Sequence, residues 1–280
     1  MQTSTHSCAP IGVYDSGIGG VSVLKALRDR HPHESFIYVA DSAHAPYGDM
    51  DASFVEARAI EVVSFLVQCR AKALVIACNT ASVVAASKLR SLYSLPIVAM
   101  EPAIKPAAEL TRSKVVLVLA TSRTVQSASV AKLCQLYGSS VRIMLQPCPG
   151  LVEHVERGAM DKAAIASLLE AYLRPALDAG ADTLVLGCTH YAFLEAKIRE
   201  IAGPQVSILE PSQAIAKELG RRLSAAGLTG SLTSDPAVKF LTSGRVEVMR
   251  SFLDAVWGSH ANVGSLPPRE HPNEAPSGRL

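Results

Sequence analysis

Two short stretches of the chain share one order of residues: an apolar run, then a cysteine, then a threonine. They are ALVIACNTAS (Ala73–Ser82) and TLVLGCTHYA (Thr183–Ala192). An apolar run of this length predicts a buried strand of the kind found in parallel sheets. A helical pattern follows each run, so Cys78 and Cys188 fall where a strand passes into a helix. Ligands bind at this edge of α/β sheets, and a helix amino terminus favours a thiolate over a thiol.

The rest of the chain repeats the alternation of strand and helix. Strand-length apolar runs include Ile11–Asp15, Phe36–Ala40 and Lys114–Ala120, and a helical pattern follows each one, directly or after a loop. Such alternation predicts an α/β fold with largely parallel sheets.

The two halves of the chain also have a similar order. Asp15 stands about as far before Cys78 as Thr121 stands before Cys188, and each half opens on a strand, a turn and a helix. We therefore predict two pseudo-symmetric α/β lobes, with one cysteine at the equivalent strand end of each. The active site is expected in the cleft between the lobes.

Composition excludes several classes of function. The 280 residues include 27 basic and 25 acidic ones without a basic run, so nucleic acid is not an expected partner. No apolar run approaches the roughly 18 residues of a membrane helix, and no secretory signal is visible, so a cytoplasmic protein is expected. The six cysteines form no C-x-x-C and the eight histidines no H-E-x-x-H, so no metal site is predicted.

A pair of cysteines that face each other suits one particular chemistry. One thiolate removes a proton from a carbon while the opposing thiol delivers a proton to the other face, which inverts the stereocentre. Asp15 and His190 are polar partners near opposite cysteines, Cys78 and Cys188 respectively. Hydroxyl, amide and main-chain donors at the strand–helix junctions could hold a small carboxylate: Ser16, Asn79, Thr80, Thr124 and Thr189.

Simpler interpretations of the same residues remain open at this point. The glycines of DSGIGG (Asp15–Gly20) could form a phosphate-binding loop or only a tight turn. Asp15 could merely cap the following helix, and His190 could be a buried polar residue without a chemical role. Free cysteines are often small core residues.

Six motifs together carry a resemblance to a known family: DSGIGG, DSAHAPYG, IACNTAS, EPAIKPA, LATSRTV and LGCTHY. Over the range from about Ile11 to Leu209, and on to Trp257, the sequence resembles glutamate racemases of the cofactor-independent aspartate/glutamate racemase superfamily. The resemblance implies an isomerase that interconverts L- and D-glutamate without a cofactor and supplies D-glutamate for peptidoglycan synthesis. A homodimer is expected.

The resemblance also implies roles for individual residues. Cys78 and Cys188 match the two catalytic bases, and Asp15 and His190 match the residues that support them. Glu156 matches an acidic residue that pairs with His190, although another glutamate lies nearby in CPGLVEHVE. The positions that match the family's substrate-binding residues are Asp15, Ser16, Tyr47, Gly48, Asn79, Thr80, Thr121, Thr124, Thr189 and His190.

In the family fold the first lobe resumes after the second. The resemblance therefore implies a first lobe of residues 11–97 plus 210–259 and a second lobe of residues 98–209. Residues 1–10 and 264–280 are expected to be flexible termini, the latter because it is polar and rich in proline.

Three alternative functions remain open from the sequence. The nearest is a racemase of aspartate or another small carboxylic acid, although His190 after Thr189 speaks against aspartate. The second is a non-catalytic two-lobed protein that binds a small acid. The third is a nucleotide-binding protein that uses DSGIGG.

Overall fold

The structure is a computed structural model that describes residues 9–157, 162–230 and 236–267. Within these ranges the strands form two sheets, in which all neighbouring strands are parallel. The six-stranded sheet has the order β10 (Asn262–Ser265), β9 (Val238–Thr242), β2 (Phe36–Ala40), β1 (Ile11–Asp15), β3 (Ala73–Ile76) and β4 (Ile97–Ala99). The four-stranded sheet has the order β6 (Arg142–Pro147), β5 (Val115–Ala120), β7 (Thr183–Gly187) and β8 (Ser207–Leu209). The predicted α/β class is confirmed.

Helices connect the strands. They are α1 (Val21–Arg30), α2 (Ala52–Gln68), α3 (Asn79–Leu92), α4 (Ile104–Leu110), α5 (Ser122–Val125), α6 (Ala128–Tyr137), α7 (Leu151–Glu156), α8 (Lys162–Asp178), α9 (Glu195–Ala202), α10 (Ser212–Ala225) and α11 (Val246–Val256). In the described ranges, no helix combines the length and apolar character that a membrane span requires. Three short 3₁₀ turns, Ser42–His44, Tyr47–Asp49 and Thr189–Leu194, lie between these elements.

Apolar side chains on both faces of the six-stranded sheet are buried. Along β1, Ile11 and Val13 belong to one buried cluster while Tyr14 belongs to another, because successive residues of a strand point to opposite faces. A strand buried on both faces reads as a continuous apolar run, which is why β1, β3 and β7 could be predicted from composition alone.

Each sheet, with the helices packed on it, is here called a lobe. The first lobe contains the six-stranded sheet, whose strands come from both ends of the chain, and the second contains the four-stranded sheet. The boundary predicted at residue 98 falls inside β4, whose Val98 and Ala99 pair with Val75 and Ile76 of β3. β4 therefore belongs to the first sheet as a whole.

The carboxyl-terminal tail begins later than predicted. Gly264 and Ser265, expected to be flexible, form the end of β10, and Leu266 packs against a buried cluster that includes Leu241. A polar edge strand is held by main-chain hydrogen bonds, so its composition gives little sign of it. At the other end, Pro10 accepts a hydrogen bond from the Lys72 amide. Residues 1–8 and 268–280 of the predicted flexible termini lie outside the described residues.

The segment that follows β5 is two helices rather than the single predicted one. The Thr121 side chain caps α5 by accepting from Thr124 N at 3.3 Å, and the Ser127 side chain caps α6 by accepting from Val130 N at 3.2 Å. Hydroxyl side chains that bond nearby amides start helices and interrupt longer ones. The result is a short turn of hydroxyl residues at the carboxyl edge of the second sheet.

Candidate active site

The carboxyl ends of β3 and β7 meet across the two lobes at a small closed cavity. Its volume is about 10 Å³, about the room that one water molecule needs. Cys78 and Cys188 both line it, and both are buried. The residues around the cavity are Ser16, Pro46, Tyr47, Gly48, Cys78, Asn79, Thr80, Thr121, Val152, Cys188, Thr189 and His190.

Cys78 occupies the N-cap position of α3. Its Sγ accepts from Ala81 N at 3.4 Å and donates to Ser16 Oγ, also at 3.4 Å. Ser16 Oγ in turn donates to Asp15 Oδ1 at 3.2 Å. Burial, and then the charge of Asp15, raise the pKa of the Cys78 thiol well above its ordinary value. Cys78 therefore rests as a thiol that is linked through one hydroxyl to a carboxylate.

Asp15 is fully buried at the first turn of the DSGIGG segment and binds groups from both lobes. It accepts from Ser16 N at 2.7 Å, from Gly20 N, and from Thr189 Oγ1 of the second lobe at 3.1 Å. Burial raises the pKa of Asp15 despite these hydrogen bonds. The Ile18 amide donates to Glu156 instead. Three amides of this segment thus serve the protein's own carboxylates, as in a tight turn rather than a phosphate cradle.

Close approach explains two of the glycines in that turn. A Cβ on Gly17 would overlap the carboxylate of Glu156, and a Cβ on Gly19 would overlap the His190 ring. The turn of the first lobe therefore packs directly on two groups of the second lobe.

Cys188 has a histidine and a glutamate behind it. Its Sγ lies 3.7 Å from His190 Nδ1, and His190 Nε2 lies 2.6 Å from Glu156 Oε1. Burial alone would lower the pKa of His190, but its hydrogen bonds to Cys188 and Glu156 and their charges raise it well above the ordinary value. The protonated form of His190 is therefore favoured beside Cys188. Glu153 and Glu156 both line a larger outer pocket of about 780 Å³, and Glu156 is the one that bonds His190.

Three threonine hydroxyls form a triangle beside the cavity, which Thr80 and Thr121 line. Thr80 Oγ1 lies 2.9 Å from Thr121 Oγ1 and 3.3 Å from Thr124 Oγ1, and Thr121 donates to Thr124 at 3.0 Å. Thr80 belongs to the first lobe and the other two to the second. The triangle therefore lies on the boundary between the lobes and offers several donors to one anionic group.

The side chain of Asn79 is buried, and neither its oxygen nor its nitrogen has a hydrogen-bond partner in the structure. Leaving a buried polar group unpaired costs about 1–3 kcal/mol. Asn79 lines the cavity, so its amide is placed to bond a polar molecule there.

Tyr47 reaches the cavity with a hydroxyl that is already bonded. The hydroxyl donates to Asp41 Oδ2 at 2.6 Å and accepts from Tyr14 at 2.8 Å, and Arg58 holds Asp41 through two hydrogen bonds of 2.9 Å. Burial would raise the pKa of Asp41, but the bonds from Arg58 and Tyr47 lower it overall. Tyr47 is thus held rigidly as part of the cavity wall.

The structure brings all of the predicted site residues to one place. Most of them line the cavity, and three lie behind the lining residues. Asp15, Glu156 and Thr124 do not line it but bond Ser16, His190 and Thr121, which do. Two lining residues were missed by sequence reasoning, Pro46 and Val152. Among the described residues, no group of three or more His, Cys, Asp or Glu side chains is arranged to hold a metal ion.

Comparison with known proteins assigns the chain to a class. Residues 21–219 match a family model described as Asp/Glu/hydantoin racemase, and the chain belongs to this family. It is 46% identical over 259 residues to glutamate racemase of Pseudomonas paraeruginosa, an alignment that covers 92% of this chain and 97% of that protein. The chain is therefore an isomerase of the racemase type.

Solved structures agree with this assignment. A glutamate racemase isoform from Bacillus anthracis superposes with a TM-score of 0.85 at 31% identity and covers 94% of this chain and 98% of its own. Glutamate racemase from Francisella tularensis in complex with D-glutamate gives a TM-score of 0.81 at 27% identity, with 93% and 98% covered. Each relative named here is a glutamate racemase.

Proposed function

We propose that this chain interconverts L- and D-glutamate by two-base proton transfer at the α-carbon, with Cys78 and Cys188 as the bases. One observation carries the proposal: the two thiols come from different lobes and line one closed cavity. A carbon held between them has one sulfur on each face. Acid–base chemistry by two thiols needs no cofactor.

Each thiol has its own group that can hold or release a proton. In one direction, the Cys188 thiolate removes the α-proton from one face of glutamate, and the electron pair left on the α-carbon then takes the proton of the Cys78 thiol. The reverse reaction exchanges these roles. His190 and Glu156 support the charge changes at Cys188, and Asp15 supports those at Cys78 through Ser16. The buried pairs lie in a site that excludes bulk water, where such interactions are strong.

Glutamate as the substrate is supported by the polar groups of the cavity and by the relatives. The Thr80, Thr121 and Thr124 hydroxyls and the unpaired Asn79 amide are donors suited to carboxylates. The Francisella tularensis relative is described in complex with D-glutamate. Because the closed cavity has room for about one water, we infer that the lobes separate to admit glutamate and close around it.

We further propose, from the family resemblance, that the product D-glutamate supplies peptidoglycan synthesis and that the enzyme works in the cytoplasm as a homodimer. The lobes proposed from the resemblance are 11–97 plus 210–259 and 98–209, and the pairing of β4 with β3 moves the first boundary to follow Ala99. The small net charge of +2 gives no reason to expect a nucleic-acid partner.

The proposal is tested by incubating the purified protein with pure L-glutamate in D₂O, without pyridoxal phosphate. We expect the circular dichroism signal of glutamate to decay to zero while deuterium enters the α-position, as read by proton NMR. L-Aspartate is run in parallel and should turn over far more slowly. Tight binding of glutamate without decay of the signal would instead support a non-catalytic binding protein, and faster decay with aspartate would reassign the substrate.

A further inference from the structure

Arg123 joins the two lobes outside the cavity. It lies on α5 of the second lobe, and its Nε and Nη2 donate to the carbonyl oxygen of Met50 in the first lobe, at 3.0 and 2.6 Å. The carboxylate of Asp51 is 4.0 Å away and 94% exposed, so it adds little. Two N–H groups of one guanidinium on a single carbonyl make a directed, charge-assisted contact that a lysine would not reproduce.

The two ends of this contact lie beside cavity walls that belong to different lobes. Met50 follows the turn that contains Tyr47 and Gly48, and its amide donates to the Tyr47 carbonyl at 3.3 Å. Arg123 lies between Thr121 and Thr124 in the hydroxyl turn. The walls already touch, because a Cβ on Gly48 would lie 2.9 Å from Thr121 Cβ. Holding Met50 therefore keeps one wall against the other.

This contact matters because the cavity as it stands is too small for glutamate. The lobes must open and close in each turnover, and the closed state has to be favoured once the substrate is inside. Other polar links between the lobes, such as that from Thr189 to Asp15, are made by residues of the site itself. The Arg123 contact lies outside the cavity and can be changed without removing a group that touches the substrate.

We propose that Arg123 is a positioning residue that latches the lobes in the closed arrangement, with both thiols facing the substrate. The proposal rests on the proposed function. Arg123 does not act on the substrate. It favours the closed state over the open state. Its loss therefore lowers the apparent affinity for both enantiomers, by the same factor as the equilibrium constant for closure.

The test compares Arg123→Ala with Arg142→Ala, which removes an exposed arginine of β6 in the same lobe. We expect KM to rise about tenfold for both L- and D-glutamate in Arg123→Ala, with a smaller change in kcat. Arg123→Lys, which keeps the charge but loses the paired donors, should fall between the wild type and Arg123→Ala. Arg142→Ala should match the wild type.

Hydrogen–deuterium exchange on the ligand-free protein gives a readout that does not depend on turnover. In Arg123→Ala, amides of residues 47–52 and 121–127 should exchange about tenfold faster, while those of α2 and α8 keep their rates. Unchanged exchange in these two segments, or an unchanged KM, would overturn the latch. If the wild type did not racemise glutamate, the proposed function would fail, and the exchange measurement would still decide whether Arg123 ties the lobes. Arg123→Lys serves the same purpose if the alanine variant does not fold.

Discussion

Replacing Glu156 by glutamine tests the support behind Cys188 most directly. The carboxylate lies 2.6 Å from His190 Nε2 and accepts from Ile18 N at 2.7 Å. Both bonds end on Oε1, so the glutamine oxygen can still accept them, but the substitution removes the negative charge that faces His190. A hydrogen bond to a charged group contributes about 1.5–3 kcal/mol. If the transition state loses that free energy, kcat/KM falls between about tenfold and about 150-fold.

The pH dependence carries the sharper prediction. The Glu156 charge is among the causes that raise the pKa of His190 against the opposite effect of burial. Without that charge the pKa of His190 falls, so the histidine loses its proton at lower pH. The alkaline limb of kcat/KM, measured by circular dichroism from about pH 6 to about pH 10, should therefore move to lower pH.

The matched control is Glu153→Gln, the same change on the same helix at a residue that shares the outer pocket with Glu156. It should leave the alkaline limb where it is. Because the two enantiomers have equal free energy, kcat/KM must fall by the same factor from L- and D-glutamate, which checks the data internally. Coincident alkaline limbs for the two variants would refute the role given to Glu156.

Three further outcomes are expected. Cys78→Ser and Cys188→Ser should each lower racemisation by at least about 10³-fold while calorimetry still detects glutamate binding, since each removes one base; a variant with wild-type turnover would contradict the two-base mechanism. Asn79→Ala should raise KM yet leave the unfolding free energy unchanged or up to about 1–3 kcal/mol higher, because the buried amide has no partner to lose; strong destabilisation in chemical denaturation would contradict this. Asp41→Asn should lower the unfolding free energy by about 3–5 kcal/mol, as it leaves Arg58 without its buried partner. The pKa of Asp41 lies below its ordinary value, so its stabilisation is present at neutral pH and lost as the pH falls, and the gap between variant and wild type in denaturation curves should narrow in acid.

Buried parallel strands could be predicted from the sequence because the whole strand reads as one apolar run. The apolar runs of β1, β3, β5 and β7 need no neighbour to be recognised, and the strand ends then place Cys78 and Cys188 at one edge. β10 could not be predicted in this way. It is an edge strand whose Asn262 and Ser265 are polar and exposed, and a proline-rich segment follows it in the sequence.

The geometry of the site could not be predicted in this way, because it depends on contacts between residues that are far apart in the sequence. Val152 reaches the cavity from α7, where the sequence shows an ordinary apolar position. The choice between Glu153 and Glu156 depends on which side of the six-residue helix α7 faces His190, and Glu156 is the one that bonds it. That Asn79 lacks a partner is likewise a property of its surroundings, since the residues that line the cavity with it come from several elements.

The size of the closed cavity has a consequence for the order of events between turnovers. With space for about one water, it gives the two sulfurs almost no solvent with which to exchange protons. If the thiols act as proposed, each inversion leaves the proton on the sulfur that was previously without one. Free enzyme that has just released one enantiomer is therefore in the protonation state suited to take up that same enantiomer again. On this mechanism it returns to the other state when the lobes open and the thiols equilibrate with bulk water, so this reset belongs to the catalytic cycle.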